Sequence, residues 1–181
     1  MLVVAFDALG TVFDLGELRD SVAFRRVLHH AAALTLAGEW APLDELAAAV
    51  DGDLPTRLQA VQPYPEARDA FELVRAAGAE PWVLTNGTRD ATERLLDRSR
   101  LFAEVHTVEE VRAYKPHPDV YRILPERATL VAAHAWDVVG ARAAGYRAVW
   151  VDREERDWPL PVGAPKLRAG DLVEAARLAV D

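Results

Sequence analysis

The sequence predicts an α/β fold, namely a doubly wound parallel sheet with helices on both faces and a small helical insertion after the first strand. Three observations support this prediction. Short apolar runs typical of buried strands recur along the chain, segments with helical periodicity separate them, and one long stretch carries helical patterns without any strand. An alternation of strands and helices indicates parallel strands joined by right-handed crossovers.

The predicted strands are short runs with β-branched or aromatic residues, which favour extended backbone. In chain order they span residues 2–6, 81–84, 129–132 and 148–151. Their polar residues lie at the ends rather than in alternation, as expected of strands that are covered on both faces. We therefore expect these runs to form the centre of the sheet.

The predicted helices of the main body span residues 65–77, 89–98 and 137–144. Pro65 stands at a first-turn position, where its missing N–H is tolerated, and Phe71 and Val74 recur at helical spacing. Gly78 and Gly145 follow the first and last of these helices, as expected of C-terminal caps.

Residues 14–63 interrupt this alternation with two alanine- and leucine-rich segments, residues 19–36 and 43–50, that favour helix. We predict a core domain formed by residues 1–13 and 64–181 and a helical cap formed by residues 14–63. The hinges between the two are expected near residues 13–16 and 61–65, where Pro63 and Pro65 stiffen the chain.

Composition excludes several classes of function. The chain of 181 residues has no cysteine, which excludes disulfides, thiolate metal sites and a cysteine nucleophile, and this fits a cytoplasmic location. The net charge of −8, with scattered basic residues, argues against nucleic acid as a partner. No apolar run approaches the roughly 20 residues that span a bilayer, and no basic export signal follows Met1, so neither a membrane nor an export route is expected.

Polar residues follow three of the predicted strands at the points where these strands end. They are Asp7 and Thr11 after the first strand, Thr85 and Asn86 after the second, and His134 and Asp137 after the third. In open parallel sheets, ligands bind beyond the carboxyl ends of the strands. The sequence therefore predicts a site at this edge.

Residue 9 limits the chemistry of that site. Asp7 is suited to act as a nucleophile, and a magnesium-dependent phosphatase built on it would need a second acid two residues later to protonate the leaving alkoxide. The residue there is Leu9, which carries no proton. A leaving group that departs as a stable anion would need none.

Four segments in order resemble the haloacid dehalogenase (HAD) superfamily, whose core is a Rossmann-like sheet. They are residues 3–11 (VVAFDALGT), 83–87 (VLTNG), 114–116 (YKP), and 135–145 (AWDVVGARAAG). The chain is most similar to the L-2-haloacid dehalogenases, which share the FDAxGTxFD opening, the AWD segment and a tyrosine six residues beyond the lysine, here Tyr121. This resemblance implies a hydrolase with an aspartate nucleophile.

The resemblance assigns catalytic roles to four residues. Asp7 would attack the halogen-bearing carbon, Lys115 would keep Asp7 ionised, Thr11 would support the nucleophile, and Asp137 would orient the hydrolytic water. A HAD magnesium site needs a further carboxylate early in residues 132–134, where the chain has Ala132, Ala133 and His134. We therefore expect no metal and no cofactor, with Mg²⁺ the less favoured alternative.

The resemblance also implies a small carboxylate as substrate. Its contacts are expected from Arg25 on the cap, with Arg26 as the substitute, and from Leu9, Thr85, Asn86, Tyr121 and His134. Ala132 and His134 replace a serine and an asparagine of the family, and His134 could hydrogen-bond water or act as a base.

The sequence is also compatible with two other functions. One is a slow magnesium-dependent phosphatase that keeps Asp7 as nucleophile. The other is a non-catalytic relative that binds a carboxylate metabolite or a protein partner. A homodimer formed through the cap helices is also possible, because an alanine- and leucine-rich cap could expose an apolar stripe.

Overall fold

A computed structural model describes residues 1–153 and 157–181 of the chain. Its centre is a six-stranded parallel sheet, with the strands in the order β5-β4-β1-β6-β7-β8. The strands are β1 Val3–Phe6, β4 Glu80–Thr85, β5 Glu104–Thr107, β6 Thr129–Ala132, β7 Arg147–Val151 and β8 Leu167–Ala169. The predicted α/β class with a parallel sheet is confirmed, and each of the four predicted strands is present.

Helices follow the strands as the alternation predicts. They are α4 Ala67–Ala76, α5 Arg89–Ser99, α6 Pro118–Tyr121, α7 Ala135–Ala143 and α8 Leu172–Val180. Helices α4 and α8 pack against each other, and α8 also packs against β6, β7 and β8. In the core, the rings of Phe6 and Phe71 lie 4.8 Å apart, which joins β1 to α4. None of the helices described is long and apolar enough to cross a bilayer.

Both outermost strands and the last helix were absent from the sequence-based prediction. The edge strand β5 carries Glu104 and His106, and the opposite edge strand β8 carries Arg168. Charged side chains are favoured on edge strands, where they discourage pairing with other chains. They also break the apolar run by which a buried strand is recognised.

Three helices occupy the insertion that follows β1, one more than the two predicted. They are α1 Val22–Ala37, α2 Leu43–Val50 and α3 Leu54–Ala60. The Ser21 hydroxyl caps α1 by accepting a hydrogen bond from the Phe24 amide at 3.0 Å, and Gly38 ends the helix at φ 70°. The insertion begins and ends in two short antiparallel strands, β2 Phe13–Asp14 and β3 Gln62–Pro63.

The inserted helices lie against the core through specific contacts. The Tyr114 hydroxyl donates to the Ala41 carbonyl oxygen at 2.8 Å, and the Trp40 ring stacks on the Tyr114 ring with centroids 4.9 Å apart. The Thr88 hydroxyl, at the start of α5, donates to the Asp44 carboxylate at 3.0 Å. These contacts hold the helices over the carboxyl ends of the strands.

The strand order places a crevice beside β1. The chain runs from β1 to β4 and β5 on one side, and then returns to β6 on the other side of β1. Connections that leave neighbouring strands in opposite directions open a crevice at the carboxyl ends of those strands. The residues that follow β1 and β6 therefore face a common space.

Candidate active site

Asp7 begins a tight turn directly after β1. The amides of Thr11, Val12 and Phe13 all donate to the Ala8 carbonyl oxygen, at 3.2, 2.9 and 2.9 Å, which folds the turn beneath the Asp7 side chain. Gly10 adopts φ +86°, a conformation that costs glycine little. Only 4% of Asp7 is exposed.

Thr11 supports one oxygen of the Asp7 carboxylate. The Thr11 hydroxyl donates to Asp7 Oδ2 at 2.8 Å and accepts from the Ala133 amide at 2.9 Å. Because Ala133 directly follows β6, this hydroxyl joins the turn after β1 to the end of the neighbouring strand. Thr11 therefore contacts both the Asp7 carboxylate and the backbone that follows β6.

Lys115 connects the two acidic residues of the site. Its ammonium donates to Asp7 Oδ1 at 3.1 Å and to Asp137 Oδ2 at 2.8 Å, and its side chain is fully buried. Burial alone would lower the pKa of Lys115, but the charges of Asp137 and Asp7 outweigh this effect and raise the pKa above its ordinary value. The lysine therefore stays charged, and the Lys115 amide is held by Asn86 Oδ1 at 3.0 Å.

Asp137 lies in the first turn of α7 and is completely buried. Burial raises the pKa of Asp137 above its ordinary value, the ammonium of Lys115 opposes this rise, and the charge of Asp7 adds to it. The Tyr121 hydroxyl donates to Asp137 Oδ1 at 2.7 Å. Burial, followed by the charge of Asp137, raises the pKa of Tyr121, so the tyrosine remains a donor.

The position of Tyr121 corrects its expected role. The resemblance placed Tyr121 among the substrate contacts, but its side chain is fully buried and reaches Asp137 from behind the site. Gly140 makes this approach possible, because a Cβ at residue 140 would lie 2.5 Å from the Tyr121 hydroxyl oxygen and 2.8 Å from Pro116 Cβ. Tyr121 therefore contacts Asp137 and lies outside the residues that line the cavities beside Asp7.

A small cavity of about 30 Å³ opens in front of Asp7 and is called here the inner cavity. Its core side consists of Asp7, Leu9, Thr85, Asn86, His134 and Trp136. The inserted helices close it with Phe24, Leu28 and Leu43. The structure thus brings five of the predicted site residues to one cavity, although Thr85 also uses its hydroxyl locally, to accept from the Gly87 amide at 3.0 Å.

His134 forms part of the wall between Asp7 and the outside. Its Nε2 lies 2.9 Å from the Leu9 carbonyl oxygen and 3.9 Å from Asp7 Oδ2, and its ring stacks on Trp136 with centroids 5.2 Å apart. A carbonyl oxygen only accepts hydrogen bonds, so Nε2 carries the proton and cannot serve as a base there. A Cβ at Gly10 would lie 2.7 Å from Nε2, so this placement of His134 requires the glycine.

Arg25 lies elsewhere than the resemblance suggested. It is exposed on α1 and borders a second, larger cavity of about 420 Å³, which is called the outer cavity and whose walls include Gly10, Arg19, Arg25, His134, Trp136 and Arg153. The substitute, Arg26, is also exposed and borders neither cavity. No residue of the inner cavity that comes from the insertion is charged.

The sequence did not identify the apolar half of the inner cavity. Phe24, Leu28 and Leu43 lie in segments that the sequence predicted only to be helical. Their spacing is that of any amphipathic helix, so nothing in the sequence distinguishes side chains that cover a ligand from those that pack the core.

The residues of the site do not fit a magnesium ion. The Lys115 ammonium already lies between the two carboxylates, and each carboxylate oxygen has a donor: Lys115 and Thr11 for Asp7, and Lys115 and Tyr121 for Asp137. A divalent cation would need these oxygens and would be repelled by the lysine. Among residues 1–153 and 157–181, no cluster of three His, Asp or Glu side chains could hold a metal.

Comparisons with known proteins identify relatives of this chain. Residues 1–145 match the profile of a hydrolase family described as haloacid dehalogenase-like hydrolase. The chain is 28% identical to haloacetate dehalogenase H-2 of Moraxella sp. (strain B), with 83% of this chain and 85% of the relative aligned. It is also 39% identical to a phosphoserine phosphatase of Thermus thermophilus, over 61% of this chain and 49% of that enzyme.

The fold is shared with solved structures. An L-2-haloacid dehalogenase from Xanthobacter autotrophicus, with chloropropionic acid covalently bound, superposes with a TM-score of 0.84. The alignment covers 98% of both chains at 22% identity, so this likeness establishes the architecture alone.

Proposed function

Because the chain belongs to the haloacid dehalogenase-like hydrolase family, we propose that it hydrolyses the carbon–halogen bond of a small 2-halo carboxylate through a covalent ester on Asp7. One observation carries the proposal. The Asp7 carboxylate, held by Lys115 and Thr11, borders a cavity in which the residue two positions later, Leu9, cannot protonate a leaving group.

The proposed reaction has two steps. An oxygen of Asp7 attacks carbon 2 of the substrate, a carbon–oxygen bond forms, and the halide departs with the electron pair of the broken bond. Water then attacks the carbonyl carbon of the aspartyl ester. This releases a 2-hydroxy acid, regenerates the Asp7 carboxylate and liberates one proton, so the net products are the hydroxy acid, halide and H⁺.

We assign the supporting roles from the contacts around Asp7. Lys115 keeps the nucleophile ionised, and Thr11 orients it. Asp137 is the proposed acceptor of the proton from the hydrolytic water, because its Oδ2 shares the Lys115 ammonium with Asp7 and so lies close to the proposed ester. Thr85 and Asn86, which border the inner cavity, are proposed to hold the substrate carboxylate.

We propose that no metal takes part. A carbon electrophile brings no phosphate charge for magnesium to neutralise. The fixed cation beside Asp7 is instead Lys115, which is too deeply buried to move aside for an ion. The narrow inner cavity favours a substrate of few atoms.

A phosphatase is the second candidate, supported by the partial likeness to the phosphoserine phosphatase. Leu9 and the position of Lys115 both count against it, since the leaving alkoxide would find no acid and magnesium would find no vacant carboxylate oxygen. A binding protein without activity is disfavoured too, because binding alone does not need a buried carboxylate oriented by a lysine and a threonine.

The test follows chloride release from L-2-chloropropionate in the presence of EDTA. The wild-type protein should release chloride, and Asp7→Asn should reduce the rate by at least about 10³-fold, because the nucleophile is lost. Asp69→Asn, an exposed aspartate on α4, is the matched control and should behave as wild type.

Three results would contradict the proposal. Chloride release that persists in Asp7→Asn would exclude an Asp7 ester. If no chloride is released and a phosphate ester is cleaved in the presence of magnesium, the protein is a phosphatase instead. If the protein is inactive in both assays, the function that remains is that of a binding protein.

A further inference from the structure

The outer cavity adjoins the inner cavity and is much larger. Its volume is about 420 Å³ against about 30 Å³, and the two cavities share the walls formed by Phe24, Leu28, His134 and Trp136. His134 contacts the turn that carries Asp7 on one side and borders the outer cavity on the other. The two cavities therefore lie on either side of these four side chains.

Arginine side chains border the outer cavity, although the protein is acidic overall. Among the described residues, its walls include Arg19, Arg25, Arg153 and the acidic Asp20, whereas the whole chain has a net charge of −8. Arg19 is anchored by the Asp14 carboxylate at 3.3 Å and by the Tyr64 hydroxyl at 2.8 Å, and Arg153 pairs with Glu66 at 2.6 Å. Two of the three arginines are therefore held by carboxylates of the protein.

Arg153 is a fixed part of the wall of this cavity. Its two terminal nitrogens donate to Glu66 Oε1 at 2.6 Å and to the Thr11 carbonyl oxygen at 3.0 Å, and its guanidinium lies 3.4 Å from the centre of the Tyr64 ring. Its Nε is buried and is not exposed to the cavity. Arg153 therefore contributes to the cavity a guanidinium group whose position is set by contacts within the protein.

Arg25 is the third arginine at the outer cavity and comes from the inserted helices. It borders the outer cavity from α1 and forms no ion pair with the residues for which the structure gives positions. Arg25 and Arg153 thus approach the cavity from the insertion and from the core. A carboxylate between them would be held by both parts of the protein.

We propose that the outer cavity binds a second carboxylate of the substrate, so that the preferred substrates are small 2-halo dicarboxylates. This inference rests on the proposed dehalogenation at Asp7 and names the substrate class of that site. The first carboxylate and the halogen-bearing carbon occupy the inner cavity. The second carboxylate, one methylene further along, lies past His134 near Arg25 and Arg153.

The experiment compares three substrates that share the reacting centre. L-2-chlorosuccinate carries the second carboxylate, L-2-chlorobutyrate has a neutral tail of similar length, and L-2-chloropropionate has a methyl group. We expect kcat/KM for L-2-chlorosuccinate to exceed that for each of the other two by at least about fivefold, the effect of one favourable charge contact.

Variants of two neighbouring arginines distinguish a direct charge contact with the substrate from an effect of net charge. Arg25→Gln should lower kcat/KM for L-2-chlorosuccinate by about fivefold, mostly through KM, and change that for L-2-chlorobutyrate by less than about twofold. Arg26→Gln, which removes the same charge one residue away and outside the cavity, should leave both substrates unchanged. Arg25→Lys should recover part of the preference.

Each outcome decides the inference. Chloride release from L-2-chloropropionate or L-2-chlorobutyrate that equals or exceeds release from L-2-chlorosuccinate would overturn it and leave the dehalogenase function intact. An equal loss in Arg25→Gln and Arg26→Gln would also overturn it, because the effect would then be one of net charge. Absence of chloride from all three substrates would refute the proposed function, and this inference with it.

Discussion

Lys115 is shared by two carboxylates, and this sharing couples the two steps of the proposed reaction. When Asp7 becomes an ester it loses its charge, and the ammonium then pairs with Asp137 alone. One buried cation thereby stabilises whichever carboxylate is charged at each stage. The arrangement needs Tyr121 as well, because Asp137 Oδ1 would otherwise lack a donor.

The first prediction concerns Asp137. Asp137→Asn removes the proposed proton acceptor but leaves Asp7 in place, so ester formation should continue while hydrolysis slows by at least about 10²-fold. Incubation with L-2-chloropropionate should then produce a protein heavier by one propionate unit, detected by mass spectrometry and located on Asp7 by peptide mapping. A variant that turns over without accumulating the ester would show that another group accepts the proton.

The second prediction follows from the raised pKa of Lys115. A group whose pKa is higher in the folded than in the unfolded protein contributes stability that is complete below the unfolded value, here 10.5, and that is lost as pH rises through the folded value. At pH 8, Lys115→Met should lower the free energy of unfolding by about 3–5 kcal/mol, because two buried carboxylates lose their partner.

The measurement is chemical denaturation of wild type and Lys115→Met between pH 8 and pH 12. The difference in free energy of unfolding should stay constant up to about pH 10.5 and shrink above it. A difference that already shrinks well below that pH would mean that burial dominates and lowers the lysine pKa.

The third prediction concerns Gly140, whose lack of a side chain leaves room for Tyr121 and Pro116. Gly140→Ala places a methyl group against the Tyr121 hydroxyl and Pro116, so we expect a loss of about 1–3 kcal/mol in the free energy of unfolding and a fall in activity. Gly52→Ala, where the added Cβ meets nothing within 4 Å, is the control.

A double-mutant cycle with Tyr121→Phe tests the mechanism. Removing the hydroxyl relieves one of the clashes, so the double variant should lose less stability than the sum of the two single variants. Strictly additive losses would show that Gly140 matters for a reason unrelated to Tyr121.

At the scale of elements, the insertion is joined to the core by the β2–β3 pair and by side-chain contacts at its far end. The paired strands bring the two predicted hinges together, at Phe13 opposite Pro63 and Asp14 opposite Gln62. Trp40, Asp44 and Tyr114 provide the contacts at the other end. We propose that residues 14–63 move as a cap about this strand pair, while residues 1–13 and 64–181 form the core domain.

The fourth prediction tests that cap. Tyr114→Phe removes the hydrogen bond to the Ala41 carbonyl oxygen and should cost about 1 kcal/mol. Hydrogen exchange should accelerate in residues 39–50, because the loss falls on the contact between insertion and core. Tyr146→Phe is the matched control, since it removes a similar tyrosine hydrogen bond, to the Leu124 carbonyl oxygen at 2.8 Å, within the core.

If hydrogen exchange in residues 39–50 also accelerates in the Tyr146→Phe variant, the exchange rate of the insertion depends on the stability of the whole protein. The helices would then form one cooperative unit with the core. Selective acceleration in Tyr114→Phe would support a separate cap.

At the scale of the whole molecule, the order of the strands determines where the chemistry can occur. β1 lies between β4 and β6, so the residues that follow all three strands meet at one edge, although they are far apart in sequence. The predicted site residues Asp7, Thr85, Asn86 and His134 converge there for this reason. The outer cavity lies at the same edge, because it shares His134 and Trp136 with the inner cavity.

The central strands, the parallel sheet and the inserted helices followed from the sequence because periodicity reflects burial. Residues covered on both faces must be apolar, and residues 2–6 or 129–132 could hardly form anything but buried strands. The edge strands did not follow, since Glu104 and Arg168 face water on one side and resemble loop residues in pattern.

The sequence by itself determined the fold class and the family and led to the proposed catalytic residues, because motifs at the ends of strands keep their order along the chain. Only the tertiary structure decided that Tyr121 serves Asp137, that Gly140 and Gly10 leave room for neighbouring side chains, and that Arg25 and Arg153 border one cavity. These relations join residues distant along the chain. They depend on where side chains end in space, which no local pattern records.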